Sequence, residues 1–440
     1  MNPLNPKLDR RHFLKQMAAS ACAHPFVMAG LSPALLTAYN AMADVQADSS
    51  ARFVLIRVHG AMDSSLGLHP YTKSISGINT QDLFLGYDPE KDIVRPEATN
   101  IELGPSAASI SGFASKMAIV RGIFVGPNDL GHPFAIQHMT AGRTQESAPF
   151  WTSYIGSQYS TKASGSYVVT NTALQRGPLA PFPTLLTSVL RSQVAALGPA
   201  QASGLSLYKD SSLGVSGYLD FQNQSAKLGK FMEVFERSTK DGAKISDEDL
   251  VIASLYSGIA RVAQLDMDTG REDFKTLDTH VSHASQHPDA QKSRWEKIAK
   301  FLGQLEELNL ASQTLVVVIT EFNRTPGLNV NGGKDHNYSD NAVALFGRGV
   351  NGGTTIGDHK LFTPADGFPY AYWAGSHIDF GTPGSPGSGK VVEVHKGEDV
   401  SAGVDLVHPG DVWKTIAASL NAKLLKKAPE ASRLIPGLFV

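Results

Sequence analysis

Short β-branched runs and amphipathic stretches follow one another along the chain, and this pattern predicts an α/β fold. The clearest run, residues 315–320, is almost purely β-branched and predicts a strand buried on both faces of a parallel sheet. Residues 52–58 and 116–125 predict two more buried strands, and residues 342–346 form another apolar run that stops at a glycine-rich turn.

Helical spacing marks the segments between these runs. An apolar stripe from Trp295 to Leu308 predicts a helix that leads into the strand at 315–320, which is the crossover unit of a parallel sheet. Ser246 and Asp249 have the spacing of a helix N-cap. Further helices are predicted over residues 107–115 and 134–140 and from residues 409–411 onward.

The chain changes character between about residues 151 and 245, where Ser, Gly, Leu and Gln are frequent and apolar pieces are short. We interpret this stretch as an insertion that caps the sheet. Residues 44–440 are otherwise predicted to form one α/β domain.

The N-terminus has the features of an export signal. The pair Arg10-Arg11 precedes a modestly apolar stretch at residues 17–36 and a small-x-small cleavage site at residues 41–43. We predict that residues 1–43 are a twin-arginine signal peptide and that the twin-arginine translocase is a partner. The mature protein would then be periplasmic or extracellular, and exported already folded.

Composition narrows the functional classes. A net charge of −2 argues neither for a nucleic-acid partner nor for an anionic membrane surface, and we expect no nucleic-acid partner. No apolar run in the predicted mature chain is long enough to span a bilayer. Cys22 is the only cysteine and lies in the predicted signal, so the mature chain has no disulfide and no thiolate ligand or nucleophile.

Acidic, imidazole and guanidinium groups follow the predicted strands, whose carboxyl ends meet at one edge of a parallel sheet. Without cysteine, carboxylates and imidazoles are the groups that bind a divalent cation such as Zn, Mn, Ca or Mg. The predicted metal ligands are Asp63, His138, Asp278, His280, Glu321, Asp335 and His336, and the predicted catalytic residues are His132 and Arg324.

The segment at residues 274–280 is predicted to be a short strand that runs into a loop. Alternation along it places Asp278 and His280 on one face. His283 and His287 are spaced to hold a metal from a helix, but no carboxylate shares that face, and we predict a solvated helix start for them.

Each of these groups has a structural alternative. Asp63 follows a strand, where a turn former or helix N-cap is common. His132 and His138 have the alternative of satisfied core histidines. Arg324 has a planar fork that suits phosphate, sulfate or carboxylate, and its alternative is a salt bridge to Glu321.

Several motifs together resemble the family catalogued as domain of unknown function 1501, and the likeness covers essentially the whole mature chain. Members of that family are typically exported by the twin-arginine route. The matching segments are Glu321-Phe-Asn-Arg324-Thr-Pro, Gly332-Gly-Lys-Asp335-His336, residues 347–353, Asp278-Thr279-His280, residues 128–142 and Gly60-Ala-Met-Asp63.

This family is grouped with the alkaline phosphatase and sulfatase superfamily. The resemblance implies a three-layer sandwich, with a mostly parallel central sheet, helices on both faces and metal ligands at the carboxyl edge. It implies that Glu321 stands in the place of the superfamily's Asp-His pair. Asp278 and His280 would match its Asp-x-x-x-His metal motif with shorter spacing.

Residues 131–133, Gly-His-Pro, stand where the superfamily carries its Ser, Thr or Cys nucleophile. A metal-activated water is then the simplest nucleophile, with His132 as acid and base. The expected function is an exported metal-dependent hydrolase of phosphate or sulfate esters, acting on an anionic small molecule or polymer. The alternative is a non-catalytic periplasmic binding or assembly factor that has kept the fold.

Overall fold

The computed structural model describes most of the chain beyond its first fifty residues. The predicted signal peptide, residues 1–43, lies outside the described residues. The structure describes residues 51–126, 131–143, 148–159, 167–172, 184–197, 229–240, 244–267, 275–367, 370–382, 385–392, 404–420 and 432–440, with the single positions 174, 179 and 227.

Helices and strands alternate in the first three quarters of the described chain, and short strands dominate the last quarter. The strands are β1 (Arg52–Val58), β2 (Met117–Val120), β3 (Tyr167–Thr170), β4 (Thr184–Leu186), β5 (Ala260–Met267), β6 (Thr314–Thr320), β7 (Asn323–Arg324), β8 (His336–Asn337), β9 (Val343–Gly347), β10 (Thr354–Ile356), β11 (His359–Phe362), β12 (Tyr372–Gly375), β13 (His377–Asp379), β14 (Gly381–Thr382), β15 (Ser385–Pro386), β16 (Val391–Val392) and β17 (Val404–Asp405). The α-helices are α1 (Gly131–Ala141), α2 (Trp151–Tyr159), α3 (Thr187–Leu197), α4 (Asp247–Ser257), α5 (His283–Glu307) and α6 (Pro409–Leu420). The 3-10 segments are Ser64–Leu66, Pro105–Lys116, Ala311–Gln313 and Pro364–Asp366.

The larger of two compact units is built on a mostly parallel sheet, and comprises Ser49–Gln158, Thr172–Pro181 and Val262–Val440. Its strand order is β10-β2-β9-β6-β1-β5. β1 pairs in parallel with β6 and β5, and β10 pairs in parallel with β2. Within these six strands β9 alone runs antiparallel to its neighbours β2 and β6. The predicted α/β fold with a mostly parallel sheet is therefore confirmed.

Burial explains why the predicted strands and helices form. All seven residues of β6 are buried, as expected for a β-branched strand in the interior of a sheet. On α5, the predicted apolar stripe is buried at Trp295, Ile298 and Leu302, and this helix packs against the 3-10 segment Pro105–Lys116. Helix α1 packs against β6 and α6. Helices thus cover apolar side chains of the sheet that would otherwise face water.

Two predicted strands differ from the observed ones. The strand predicted at 116–125 ends at Val120, because Gly122 turns with a φ of +70° and lies so close to Asp358 that a Cβ would be 2.4 Å from its carbonyl oxygen. The strand predicted at 274–280 is wrong for its described part, residues 275–280, which form a loop. Turn hydrogen bonds from Asp278 N to Thr276 Oγ1 and from Thr279 N to Leu277 O replace ladder pairing there.

The described part of the smaller unit is drawn from Tyr159–Asn171 and Phe182–Arg261. In it β3 and β4 pair in parallel. The predicted N-cap of α4 is confirmed, since Ser246 and Asp249 form a reciprocal capping box. The cap insertion at about 151–245 stays a prediction, and much of that stretch lies outside the described residues.

Among the described residues, no helix has both the length and the apolarity that crossing a bilayer requires.

A buried ion pair joins the neighbouring strands β1 and β5. Arg57 Nε donates to Asp266 Oδ1 at 2.7 Å, Arg57 Nη2 donates to Asp266 Oδ2, and His59 Nε2 lies 3.1 Å from the same Oδ2. Burial opposes ionisation of Asp266, but Arg57 and His59 outweigh it and lower the pKa of Asp266 to about 2. The folded protein therefore holds this carboxylate ionised further into acid than the unfolded chain does.

We predict an acid-dependent loss of stability from this pair. Because the folded pKa lies below the unfolded value of about 3.9, the stabilisation is present above pH ~4 and is lost as the pH falls toward ~2, by about 2 kcal/mol. Urea unfolding of wild type and Asp266→Asn between these pH values should show a shallower acid loss in the variant. Replacement of the exposed Asp289 by Asn should keep the wild-type slope, and parallel slopes for wild type and Asp266→Asn would contradict the prediction.

Candidate metal centre

Side chains from three segments of the larger unit meet beyond the carboxyl ends of β1 and β6. His132 is the second residue of α1, Asp278 and His280 lie in the loop before α5, and His336 begins β8. Each offers one ligand atom, and the four atoms all lie within 4.8 Å of one another. We call these residues the four-residue centre; all of them are among the predicted site residues.

The inward-facing atoms of the four-residue centre are spaced like the ligands of one small cation. His280 Nε2 lies 3.0 Å from His336 Nε2 and 3.2 Å from Asp278 Oδ1. His132 Nε2 lies 3.3 Å from the same oxygen and, among the described residues, is buried without a hydrogen bond. Atoms placed tetrahedrally around zinc at about 2.0–2.1 Å are about 3.3–3.4 Å apart, so the spacing fits. Three imidazoles and one carboxylate suit zinc or manganese better than calcium, which prefers oxygen ligands.

Each imidazole of the centre is also held from behind through its other ring nitrogen. The contacts join His132 Nδ1 to Glu321 Oε2 at 3.1 Å, His280 Nδ1 to Asp335 Oδ1 at 2.8 Å and His336 Nδ1 to Tyr338 Oη at 2.9 Å. Histidines that ligate metals nearly always donate the second N–H in this way, which fixes the ring and leaves the inner lone pair free. Glu321 and Asp335, both predicted as ligands, thus lie behind the imidazoles and not among the four inward atoms.

Charges around the centre set its protonation before a cation binds. Burial favours neutral His132, but Asp278 and Glu321 outweigh it and raise the pKa of His132 to about 9. Burial, and then the charge of Arg324, lowers the pKa of His336 to about 4. Contact with His132 and with Arg324 holds the pKa of Asp278 well below its usual range. Near pH 7, Asp278 and His336 therefore have the forms that bind metals, and His132 must release a proton when a cation binds.

Arg324 is fully buried and gives its hydrogen bonds to the protein itself. Its acceptors are Gly60 O, Ala61 O, Leu277 O, Lys334 O and Asp278 Oδ1. Among the described residues its ion pair is with Asp278, at 2.8 Å, and not with Glu321. The guanidinium predicted to bind an anion thus ties together the segment after β1, the loop before α5 and the segment before β8.

Next to the four-residue centre lies an ion pair that solvent does not reach. Lys334 Nζ donates to Asp63 Oδ2 at 2.7 Å, and both side chains are 0% exposed. Burial opposes ionisation of Asp63, yet Lys334 holds its pKa well below the ordinary value. Asp63 also caps the 3-10 segment Ser64–Leu66 by accepting from Ser65 N, which is the structural alternative that its sequence position suggested. Because Lys334 directly precedes Asp335, the pair anchors a segment of the centre.

His283 and His287 are buried, so the prediction of a solvated helix start is wrong. His283 Nε2 lies 3.2 Å from Asp63 Oδ2, and Thr279 Oγ1 is hydrogen-bonded to Nδ1 of both histidines, at 2.8 and 2.9 Å. The carboxylate missing from the helix face comes from Asp63 in a distant segment. Burial lowers the pKa of His283 to about 4, which keeps this imidazole neutral.

His138 lies away from the four inward atoms, although it shares α1 with His132. The backbone of Val125 and the ring of His408 lie near its imidazole. Burial lowers the pKa of His138. The two predicted histidines of this helix therefore face different surroundings.

Gly333 allows the segment that carries the centre's last residues to lie directly on the loop before α5. A Cβ at this position would be 1.9 Å from the carbonyl carbon of His280. The next residue, Lys334, donates its backbone N–H to Thr279 O at 3.0 Å. The Gly-Gly pair in the sequence is thus explained by a close backbone approach.

A cleft of about 730 Å³ opens beside the centre, a size that suits a small molecule. Its wall combines aromatic hydroxyl, amide, imidazole and apolar groups, and its described lining includes no Lys or Arg. The lining residues are Gln81, His280, Thr325, Gly327, Leu328, Asn329, Asp335, His336, Asn337, Tyr338, Ser339, Tyr370, Ala371 and Tyr372.

Three residues of the site were not singled out from the sequence. Tyr338 follows His336 by two positions, a spacing that shares one face of a strand and could have indicated it. The position of Lys334 inside the Gly-Gly-Lys-Asp-His motif could have indicated it. His59 lies in the polar cluster after β1, with its Nδ1 3.7 Å from Glu321 Oε1.

Comparison with solved structures finds several distant likenesses. The chain is similar to the lipoteichoic acid synthase LtaP from Listeria monocytogenes, with 9% identity, a TM-score of 0.32 and coverage of 72% of this chain and 72% of that chain. It is also similar to a protein in the alkaline phosphatase superfamily from Vibrio parahaemolyticus, with 11% identity, a TM-score of 0.30 and coverage of 80% and 72%. The PsFucS1 sulfatase from Pseudoalteromonas sp. has 12% identity, a TM-score of 0.23 and coverage of 81% and 70%.

Comparison by sequence finds fewer matches. No curated protein matches the chain. One family model does match, and it covers residues 233–366, a range that includes Asp278, His280, Glu321, Arg324 and the Asp335-His336 pair. The family is described as "Protein of unknown function (DUF1501)".

Proposed function

We propose that this protein is a hydrolase of phosphate or sulfate esters that uses a divalent cation held by His132, Asp278, His280 and His336. One observation carries the proposal. Three imidazoles turn one nitrogen toward a common point shared with a carboxylate oxygen, and each has its other nitrogen fixed by a protein acceptor. This arrangement is typical of zinc-type sites with oriented histidine ligands.

The chain's own residues prepare the site for such a reaction. A bound cation would supply positive charge to the ester oxygens and lower the pKa of a water. Glu321, which is 2% exposed, orients His132 through the contact between its Oε2 and Nδ1 of the ring. Asp335 orients His280 and is also exposed in the cleft. Arg324 fixes the direction of Asp278.

The cleft favours a small ester over a polyanion. Its described lining has tyrosines and amides but no Lys or Arg, so a highly charged polymer would find little compensation there. The cation of the centre would provide the positive charge that one phosphate or sulfate group requires. We therefore propose a small monoester as substrate.

We further propose that the protein acts outside the cytoplasm. The Arg10-Arg11 pair and the small-x-small site at residues 41–43 support export by the twin-arginine translocase. Since that route carries folded proteins, the cation would be loaded before export.

An ester screen tests the proposed activity. Purified protein is incubated with aryl phosphate and aryl sulfate esters and with added Zn, Mn, Ca or Mg. We expect turnover of one ester class with Zn or Mn, and its loss in Glu321→Gln, because loss of the His132 orientation lowers metal affinity about 10–100-fold.

The matched control is Glu296→Gln on the exposed face of α5, which should retain full turnover. Absence of turnover with every ester and cation would contradict the proposed activity. If Glu321→Gln left turnover unchanged, the four-residue centre would not be the source of the activity.

A second candidate is a non-catalytic binding or assembly factor on the same fold. Two observations favour it: Arg324 gives its hydrogen bonds to the protein, and the cleft's described lining lacks a cationic side chain. Tight cation binding with no turnover of any ester would support this candidate. Turnover abolished by Glu321→Gln would eliminate it.

A further inference from the structure

A second group of potential metal ligands lies in the interior of the larger unit. It consists of His69, which follows the 3-10 segment Ser64–Leu66, Asp340 between β8 and β9, and His359 at the start of β11. His69 is 1% exposed and Asp340 is 0% exposed, and the His359 side chain is 4% exposed. Three separate segments thus bring polar groups to one buried point.

The two imidazoles converge on the carboxylate of Asp340. His69 Nδ1 lies 3.6 Å from Asp340 Oδ1, and His359 Nδ1 lies 3.1 Å from Asp340 Oδ2. The two imidazoles stack with ring centroids 3.5 Å apart, so both Nδ1 atoms reach the same acid. Trp373 covers the other side of His359, with ring centroids 4.2 Å apart.

Two atoms of this group are buried without hydrogen-bond partners in the described part of the chain. They are His69 Nδ1 and Asp340 Oδ1, which face each other. A dry interior seldom leaves a polar side-chain atom unpaired, because its desolvation is then uncompensated. A group absent from the protein chain would satisfy both atoms at once.

The neighbours of these atoms show which kind of group fits. His69 Nε2 lies 2.9 Å from Asp358 Oδ1, and because a carboxylate only accepts, Nε2 is the donor there and Nδ1 is the ring nitrogen that faces Asp340. Asn323 Nδ2 donates to Asp340 Oδ2 at 2.7 Å and orients the carboxylate. A divalent cation between Nδ1 and Oδ1 would be bound by both atoms. An outward N–H on a carboxylate is also the usual support of a metal-binding imidazole.

We propose that His69, Asp340 and His359 form a second divalent-cation site, separate from the four-residue centre. Its two imidazole nitrogens and one carboxylate oxygen select a borderline cation such as zinc over calcium or magnesium. Because the site joins three distant segments and contributes nothing to the described lining of the cleft, bound zinc stabilises the fold and does not take part in ester cleavage.

Zinc titration of the full chain, in competition with a chelator, tests the proposal. Wild type is expected to bind two equivalents of Zn²⁺. His69→Gln is expected to lose one equivalent and keep the other, and His280→Gln is expected to lose the complementary one. His377→Gln, on β13, is the matched control and should keep both.

A surface variant keeps the test decisive if His69→Gln does not fold. Asp358 is 60% exposed at its side chain, and Asp358→Asn should weaken only the second equivalent, by about 10–100-fold. A wild-type stoichiometry of one that survives His69→Gln, or an Asp358→Asn variant with both affinities unchanged, would overturn the second site. The outcome of the ester screen does not enter this test, so failure of the proposed activity and failure of the second site are distinguishable.

Discussion

Replacing His280 by glutamine is expected to abolish high-affinity cation binding at the four-residue centre while the protein stays folded. Its Nε2 lies within 3.2 Å of both His336 Nε2 and Asp278 Oδ1, so its loss removes one of four ligands. The side chain is 43% exposed, and little packing is lost with it. Loss of a residue that only hydrogen-bonds to a ligand typically lowers metal affinity about 10–100-fold, and we expect the cation affinity of His280→Gln to fall further than that. Chelator competition measures it.

A graded series separates this effect from a general disturbance. Asp335→Asn keeps the ligand but weakens the support of His280, and should cost about 10–100-fold in affinity. His377→Gln should cost nothing. An affinity in His280→Gln equal to that of wild type would show that the four atoms do not hold the cation.

Replacing Lys334 by methionine is expected to destabilise the larger unit by about 3–5 kcal/mol, because it leaves the Asp63 carboxylate buried without its partner. That is a large share of the roughly 5–15 kcal/mol by which a folded protein is usually stable. Since the charge of Lys334 is what keeps Asp63 ionised in the interior, the variant should also lose stability as the pH rises and Asp63 must ionise. Denaturant unfolding at two pH values measures both effects.

The double variant Asp63→Asn, Lys334→Met provides the control for charge. Removing both partners eliminates the uncompensated carboxylate, so the double variant should be more stable than the sum of the two single losses predicts. Lys360→Met, at an exposed position of β11, should unfold like wild type. Strictly additive losses at Asp63 and Lys334 would show that the pair does not act as a unit.

The sheet was predictable because its signal is local. The run that forms β6 consists of β-branched residues that are all buried, and the stripe that forms α5 repeats with helical period. The antiparallel direction of β9 was not predictable, because an apolar run of five residues is compatible with either direction. β2 ends earlier than predicted because Gly122 lies against Asp358, and nothing near Gly122 in the sequence indicates that contact.

The sequence indicated which residues belong to the site better than it indicated which residues each of them contacts. Asp278 and His280 both turn toward the centre, but they do so from a loop and not from the strand on which that expectation rested. Residue type could not show that Asp63 would be enclosed, because its partner Lys334 lies 271 positions away. Arg324 shows the same limitation: a guanidinium suits an anion by its chemistry, but only the fold reveals that backbone carbonyls surround it.

The antiparallel course of β9 has a consequence for how relatives of this chain can diverge. The chain leaves the sheet after Thr320 and returns at Val343 on the same edge, and the short ladder between β7 and β8 closes the stem of this excursion. Its tip provides Thr325, Leu328 and Asn329 to one wall of the cleft. An exchange confined to the tip would leave the strand register, Lys334 and His336 in place, so selection among ligands can be altered without disturbing the centre.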